Sequence, residues 1–230
     1  MSENGELNLW TSIHSLVLIV LYAVMFIPVM AHGGKQISLI AGGVGALSFT
    51  ALFLIGGRSS ISIPNIVSLL RLFIVISAAL ALGLDKHRGY TVFGILALAG
   101  LSDFFDGVAA RRLGSTSFGA KLDMELDAFF IYMLALFSHL YYGLERWVLL
   151  AGLLRYVYVF ILIILPDPRK FPTLVRVLSK GACALAEIAF IIVAAPLLGS
   201  HARTAFCIFA VTVLCASFML DFCLRLILKA

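Results

Sequence analysis

Residues 101–141 read LSDFFDGVAARRLGSTSFGAKLDMELDAFFIYMLALFSHLY, and two features of this stretch decide how the chain is arranged. Its second half is apolar and, with the residues before it, reaches the roughly 20 residues that a helix needs to cross a bilayer. Its first half sets carboxylates into an otherwise apolar helical pattern, where each is costly and requires a reason. The rest of the chain has the same character. Of 230 residues, 62% are hydrophobic and 13% charged, and the mean hydropathy is +1.09. A soluble domain carries about 25% charged residues, so there is too little polar side chain here to cover a water-facing surface. The composition predicts an all-α, polytopic membrane helical bundle that has the lipid bilayer, and no nucleic acid, as a partner.

Hydropathy predicts about eight spans, at 14–31, 37–56, 64–84, 90–111, 120–141, 146–165, 178–197 and 203–228. Turn residues separate them: Gly56-Gly57, Asp85 to Gly89, Gly114 to Ser117, Pro166-Asp167-Pro168 and Gly199-Ser200. The expected organisation is a six-helix catalytic core within residues 60–230, preceded by two extra N-terminal transmembrane helices in residues 1–59. The leader has Glu3 and Glu6 but no Lys or Arg, unlike a secretory signal, so a retained anchor is expected. Counting eight spans, ten Lys and Arg fall on the side of both termini and five on the other: Lys35, Lys86, Arg88, Arg146 and Arg203. That bias predicts cytoplasmic termini in an inner-membrane protein. Cys183, Cys207, Cys215 and Cys223 lie in apolar stretches without a CxxC pair and read as small hydrophobes.

Five of the twelve Asp and Glu fall between Asp103 and Asp127. Asp103 and Asp106 are three apart, and Asp123 and Asp127 four apart, so each pair shares a helix face. Gly107 removes a side chain beside Asp106, letting a ligand or helix approach closely. The basic turn from Arg111 to Gly119 joins the two helices, so a hairpin would gather four carboxylates near the cytoplasmic end of the bilayer. Bare, they would repel one another and some would take up protons. Two divalent cations balance them, and hard oxygen ligands suit Mg²⁺ or Mn²⁺. Such a metal pair clamps phosphoryl groups during in-line displacement. Arg111 could hold further phosphate oxygens bidentately.

The run Asp103-x2-Asp106-Gly107-x2-Ala110-Arg111 … Gly119-x3-Asp123-x3-Asp127 resembles the signature of the CDP-alcohol phosphotransferase family. The spacer between Arg111 and Gly119 has seven residues where the family usually has eight, which predicts a shorter turn with the same carboxylate geometry. Ile63-Pro64-Asn65-x2-Ser68-x2-Arg71 is similar to the family's entry into its first core helix, and Pro64 suits a first turn. The likeness covers roughly residues 60–228. It implies transfer of a phosphatidyl or related group from a CDP-linked donor, CDP-diacylglycerol being favoured, to a small alcohol, with release of CMP. It also implies that Asp103, Asp106, Asp123 and Asp127 hold two Mg²⁺ or Mn²⁺ ions, with Asp127 also the general base. Gly107 and Ala110 would make room for the nucleotide and Arg111 and Gly119 would seat it. Asn65, Ser68 and Arg71 would add polar contacts there. Homodimers are common among family members, so a homodimer is expected.

Arg155 and Glu187 lie at similar depth in adjacent predicted helices and could form an ion pair; alternatively, Arg155 faces the cavity and selects an anionic acceptor or donor phosphate. Arg169, Arg176 and Lys180, with Lys170, border the expected mouth and could gather phosphate or anionic lipid there. Asp221 and Arg225 are four apart and are expected to neutralise each other. Glu125 points to another face of its helix, toward the extension or a loop. His139 and His201 lie near outer helix ends and are expected at the interface, not in catalysis. Intramembrane prenyltransferases also bind Mg²⁺-pyrophosphate, but their two Asp motifs lie in separate halves of the protein. A divalent-cation transporter would spread its acids on both sides of the midplane. The acceptor alcohol is not readable from these residues.

Overall fold

The computed structural model describes Ile13, Leu16 and residues 35–55, 63–84, 89–113, 117–164 and 173–227. All described secondary structure is helical. The long helices are α1 (Lys35–Ile55), α2 (Ile63–Leu84), α3 (Gly89–Leu113), α4 (Ser117–Tyr142), α5 (Leu150–Ile164), α6 (Thr173–Ala194) and α7 (Ser200–Ile227). A 3₁₀ turn, Arg146–Leu149, precedes α5, so the helix expected from residue 146 begins in a tighter winding. As helices, these elements coincide with the expected apolar runs from the second onward, with ends up to five residues apart. Most of the first, 14–31, lies outside the described residues.

Among the described residues, Phe118–Tyr142, Val177–Ala194 and Ser200–Leu224 are long and apolar enough to cross a membrane, which fits a membrane protein. Asn65–Ala78 and Tyr90–Ser102 are shorter apolar helical stretches.

Helix α4 is the hub. From Ala128 to Ser138 every residue is buried, with Phe129, Leu134, Ala135, Leu136 and Phe137 at 1% exposure or less. A helix apolar all round must be surrounded, and α4 packs against α1, α2, α5 and α6. Its flanking helices bury one stripe each. On α2 that stripe is Asn65, Ser68, Arg71, Leu72, Val75 and Ala78, while Ile66, Leu70 and Phe73 face outward. Helix α1 joins the same core: Phe49 is fully buried and meets Phe129 edge-on, with ring centroids 5.5 Å apart.

Two ends are closed by specific contacts. Gly143, at φ 68°, ends α4, and its N–H donates to the His139 carbonyl at 3.0 Å, an αL cap that a residue with Cβ would strain. The His139 ring donates from Nδ1 to the Leu144 carbonyl, so it serves this turn. Arg203 of α7 closes the end of α6, donating to the carbonyls of Val193 (3.2 Å), Ala195 (3.0 Å) and Pro196 (3.2 Å). Its guanidinium lies 3.6 Å from the Tyr142 ring centre, and the Tyr142 hydroxyl donates to the Ala194 carbonyl at 2.7 Å. The four cysteines are free thiols; Cys207 is buried and Cys223 exposed. Arg225, the expected partner of Asp221, has its side chain outside the described residues.

Candidate active site

The site is built from the first half of α2 and the first half of α4. Asn65, Ser68 and Arg71 recur every third residue, which keeps them on one face of α2, and all three are buried. An arginine with none of its surface exposed, in an apolar bundle, requires partners. Two of them are the motif aspartates of α4. Arg71 Nη2 donates to Asp127 Oδ1 at 2.8 Å and reaches Asp123 Oδ1 at 3.4 Å. The side chain of Arg71 is 1% exposed, those of Asp123 and Asp127 45% and 29%. The cation therefore sits behind the carboxylates, anchoring them from the protein side while they open outward. It also offsets the repulsion between two like charges one helical turn apart.

Glu125 lies two residues from each aspartate and so about 200° round the helix from each. It is 2% exposed. Arg155 Nη2, from α5, donates to its Oε1 at 3.2 Å, with side-chain exposures of 20% for Arg155 and 3% for Glu125. Arg155 therefore pairs with Glu125 instead of the expected Glu187, and Glu125 meets a core helix, α5, where the extension or a loop was expected. The reason is the central position of α4: its far face abuts α5. Close packing brings the pair together. A Cβ on Gly152, three residues before Arg155, would fall 2.6 Å from the Tyr132 Cα of α4. Two arginines from two helices thus hold α4 from opposite sides.

Glu187 is buried on α6 and faces α3, where a Cβ on Gly100 would come 3.4 Å from its Oε1. Cys183, one turn earlier on α6, lies within electrostatic range of Asp127, Arg155 and Glu187. The structure therefore brings together Arg71, Asp123 and Asp127, with Asn65 and Ser68 on the same buried stripe, and sets Arg155 on the other side of α4. Gly119 is half-buried in the first turn of α4, and Lys180 is exposed on α6. Asp103, Asp106, Gly107, Ala110 and Arg111 lie within α3, and Arg176 within α6, but their side chains are outside the described residues, as is the whole of Arg169.

Among the described residues no group of three or more His, Cys, Asp and Glu is gathered around a metal position. The two described carboxylates nonetheless fit hard divalent ions. Both are oxygen donors on one face of a rigid helix and both are partly open, which a carboxylate buried in a purely structural ion pair would not be.

A family model described as CDP-alcohol phosphatidyltransferase matches residues 61–222. No curated protein and no solved structure matches the chain.

Proposed function

Because the chain belongs to the CDP-alcohol phosphatidyltransferase family, a transferase family of phospholipid biosynthesis that moves a phosphatidyl group from a CDP-alcohol, we propose that its donor is CDP-diacylglycerol and its acceptor a small polar alcohol. The observation that carries this reading is the hold of Arg71 on Asp123 and Asp127. It fixes two outward-facing carboxylates on one helix face. The family generally depends on divalent metal. Mg²⁺ or Mn²⁺, held by Asp103, Asp106, Asp123 and Asp127, would neutralise the pyrophosphate and the departing CMP.

The chain's own part in the reaction runs as follows. Asn65, Ser68, Gly107, Ala110, Arg111 and Gly119 seat the nucleotide at the ends of α2, α3 and α4. Arg71 engages Oδ1 of Asp127, which directs its Oδ2 to the acceptor hydroxyl. Asp127 takes the hydroxyl proton as the oxygen attacks the phosphatidyl phosphorus in line. The bond from that phosphorus to the bridging oxygen breaks, and CMP leaves with the electron pair. In this reading residues 60–230 are the catalytic membrane domain and 1–59 an extension, and the site opens to the cytoplasm, where the soluble CDP headgroup is found.

The test is CMP release by purified protein in detergent, with CDP-diacylglycerol, Mn²⁺ or Mg²⁺ and a panel of alcohols. Release should depend on metal, stop on chelation and fall by about 10³-fold or more in Asp127→Asn, a loss on the scale of a general base. Absence of CMP release from folded protein with every alcohol would overturn the reading.

A further inference from the structure

The turn after α4 and the first half of α7 enclose a cavity of about 590 Å³, a size common for ligand sites. Its α7 wall is one helical stripe, Ser200, Thr204, Ile208, Val211 and Thr212, recurring at intervals of three or four. The stripe runs about 18 Å along the helix, close to the roughly 15 Å of hydrocarbon in one leaflet. Ser200–Leu224 is long and apolar enough to cross a membrane, so the stripe begins at the water boundary and descends from it. Ile208 and Thr212 are exposed, which opens the groove sideways onto lipid. Polarity is graded along it. Ser200 and Thr204 supply hydroxyls at the shallow end, Ile208 and Val211 are apolar below them, and Thr212 is the polar exception at depth. Trp147, half-buried in the opposite wall, has the amphipathic ring typical of the headgroup level.

Among the described residues that line this groove, Glu145 alone is charged. It makes no capping bond to the 3₁₀ turn it precedes. The Arg203 guanidinium, which could have answered it, is given to the carbonyls that end α6. We propose that the groove binds a phospholipid whose headgroup carries a primary ammonium, as in phosphatidylethanolamine. The ammonium meets Glu145, and one acyl chain lies along the α7 stripe. A lipid with a phosphate and no amine, such as phosphatidylglycerol, would bring like charge to Glu145 with no cation between them. The occupant is not the substrate of the transfer reaction, because Tyr142 lies about 28 Å along α4 from Asp123.

The chain has two tryptophans, Trp10 and Trp147, so fluorescence of full-length Trp10→Phe protein reports from the groove alone. That protein is placed in phosphatidylglycerol vesicles doped with phosphatidylethanolamine or phosphatidylglycerol brominated on one acyl chain, because bromine quenches tryptophan on contact. Brominated phosphatidylethanolamine should reach half-maximal quenching at about a fivefold lower fraction than brominated phosphatidylglycerol, the scale of one partly screened ion pair. Glu145→Gln, a change at an exposed position, should bring the two curves together. Equal quenching, or stronger quenching by phosphatidylglycerol, marks ordinary boundary lipid and overturns the proposal. So does a preference that survives in Glu145→Gln, or a Trp147 that neither lipid quenches, as when a second copy of the chain covers the groove. If Trp10→Phe does not fold, the wild-type unfolding midpoint in detergent decides: phosphatidylethanolamine should raise it more than phosphatidylglycerol does, and an equal rise overturns the proposal.

Discussion

Arg71 has no surface open to solvent, yet it holds two carboxylates that do. Replacing it with Met leaves Asp123 and Asp127 one turn apart without their shared cation. CMP release should fall by roughly 10²-fold, since misplaced catalytic groups lose rate on that scale. The loss of stability should be smaller than the 3–5 kcal/mol or so of a fully buried pair, because water already screens the half-exposed Asp123. Arg71→Lys should keep part of the activity, retaining the charge without the fixed fork. Thermal unfolding in detergent beside the CMP assay checks both. At this scale the buried stripe of Asn65, Ser68 and Arg71 was legible in the three-residue spacing, and so was the shared face of Asp123 and Asp127. The partner of Arg71 was not, because helix periodicity places a side chain on a face without saying which helix covers that face. Glu125 shows the same limit: a carboxylate in an apolar helix signals a buried partner, and sequence position offered several.

Helix α4 is clamped between its neighbours, and Gly152 of α5 lies close against the backbone of Tyr132. Gly152→Val should push α5 away, weaken the Arg155–Glu125 contact and lower both the unfolding temperature and CMP release; overpacking alone costs about 1–3 kcal/mol. Arg203 acts at the opposite end of the bundle from the carboxylates. Arg203→Ala would leave the last carbonyls of α6 and the Tyr142 ring without their cation. The expected loss is about 1–3 kcal/mol, the range for hydrogen bonds to a charged group, with CMP release per folded molecule unchanged. Comparing unfolding midpoint with specific activity separates these two variants, because one touches the site and the other does not. Element bounds were readable to within about five residues from hydropathy and from the turns at Asp85 to Gly89 and Gly199-Ser200. The 3₁₀ start at Arg146 was not, since tightness of winding depends on how the preceding turn docks.

The described helices share one hydrophobic core, and its limits do not follow the family match. Residues 61–222 carry the resemblance, whereas Phe49 of α1 is fully buried against Phe129 in the middle of α4. Helix α1, which precedes the matched residues, is therefore part of the packing around the hub. Phe49→Ala should destabilise the whole protein by about 3–5 kcal/mol, the cost of deleting a buried aromatic side chain. Thermal unfolding measures it: a shift of that size means α1 unfolds with the core, and an unchanged midpoint would mean that it is an independent appendage.

The sequence alone determined the helical class, the approximate helix bounds and the faces on which the acids and the Asn65–Arg71 stripe lie. These follow from local rules: the length of an apolar run, the period of a helix and the cost of a charge in lipid. The signature from Asp103 to Asp127 also carried the family. Tertiary structure decided that α4 is surrounded, that Arg71 stands behind Asp123 and Asp127, and that Arg155 goes to Glu125 instead of Glu187. Those choices belong to packing between helices distant in sequence. A buried charge takes whichever partner the close-packed backbones bring within reach, and here the approach of Gly152 to Tyr132 brings α5 to the far face of α4.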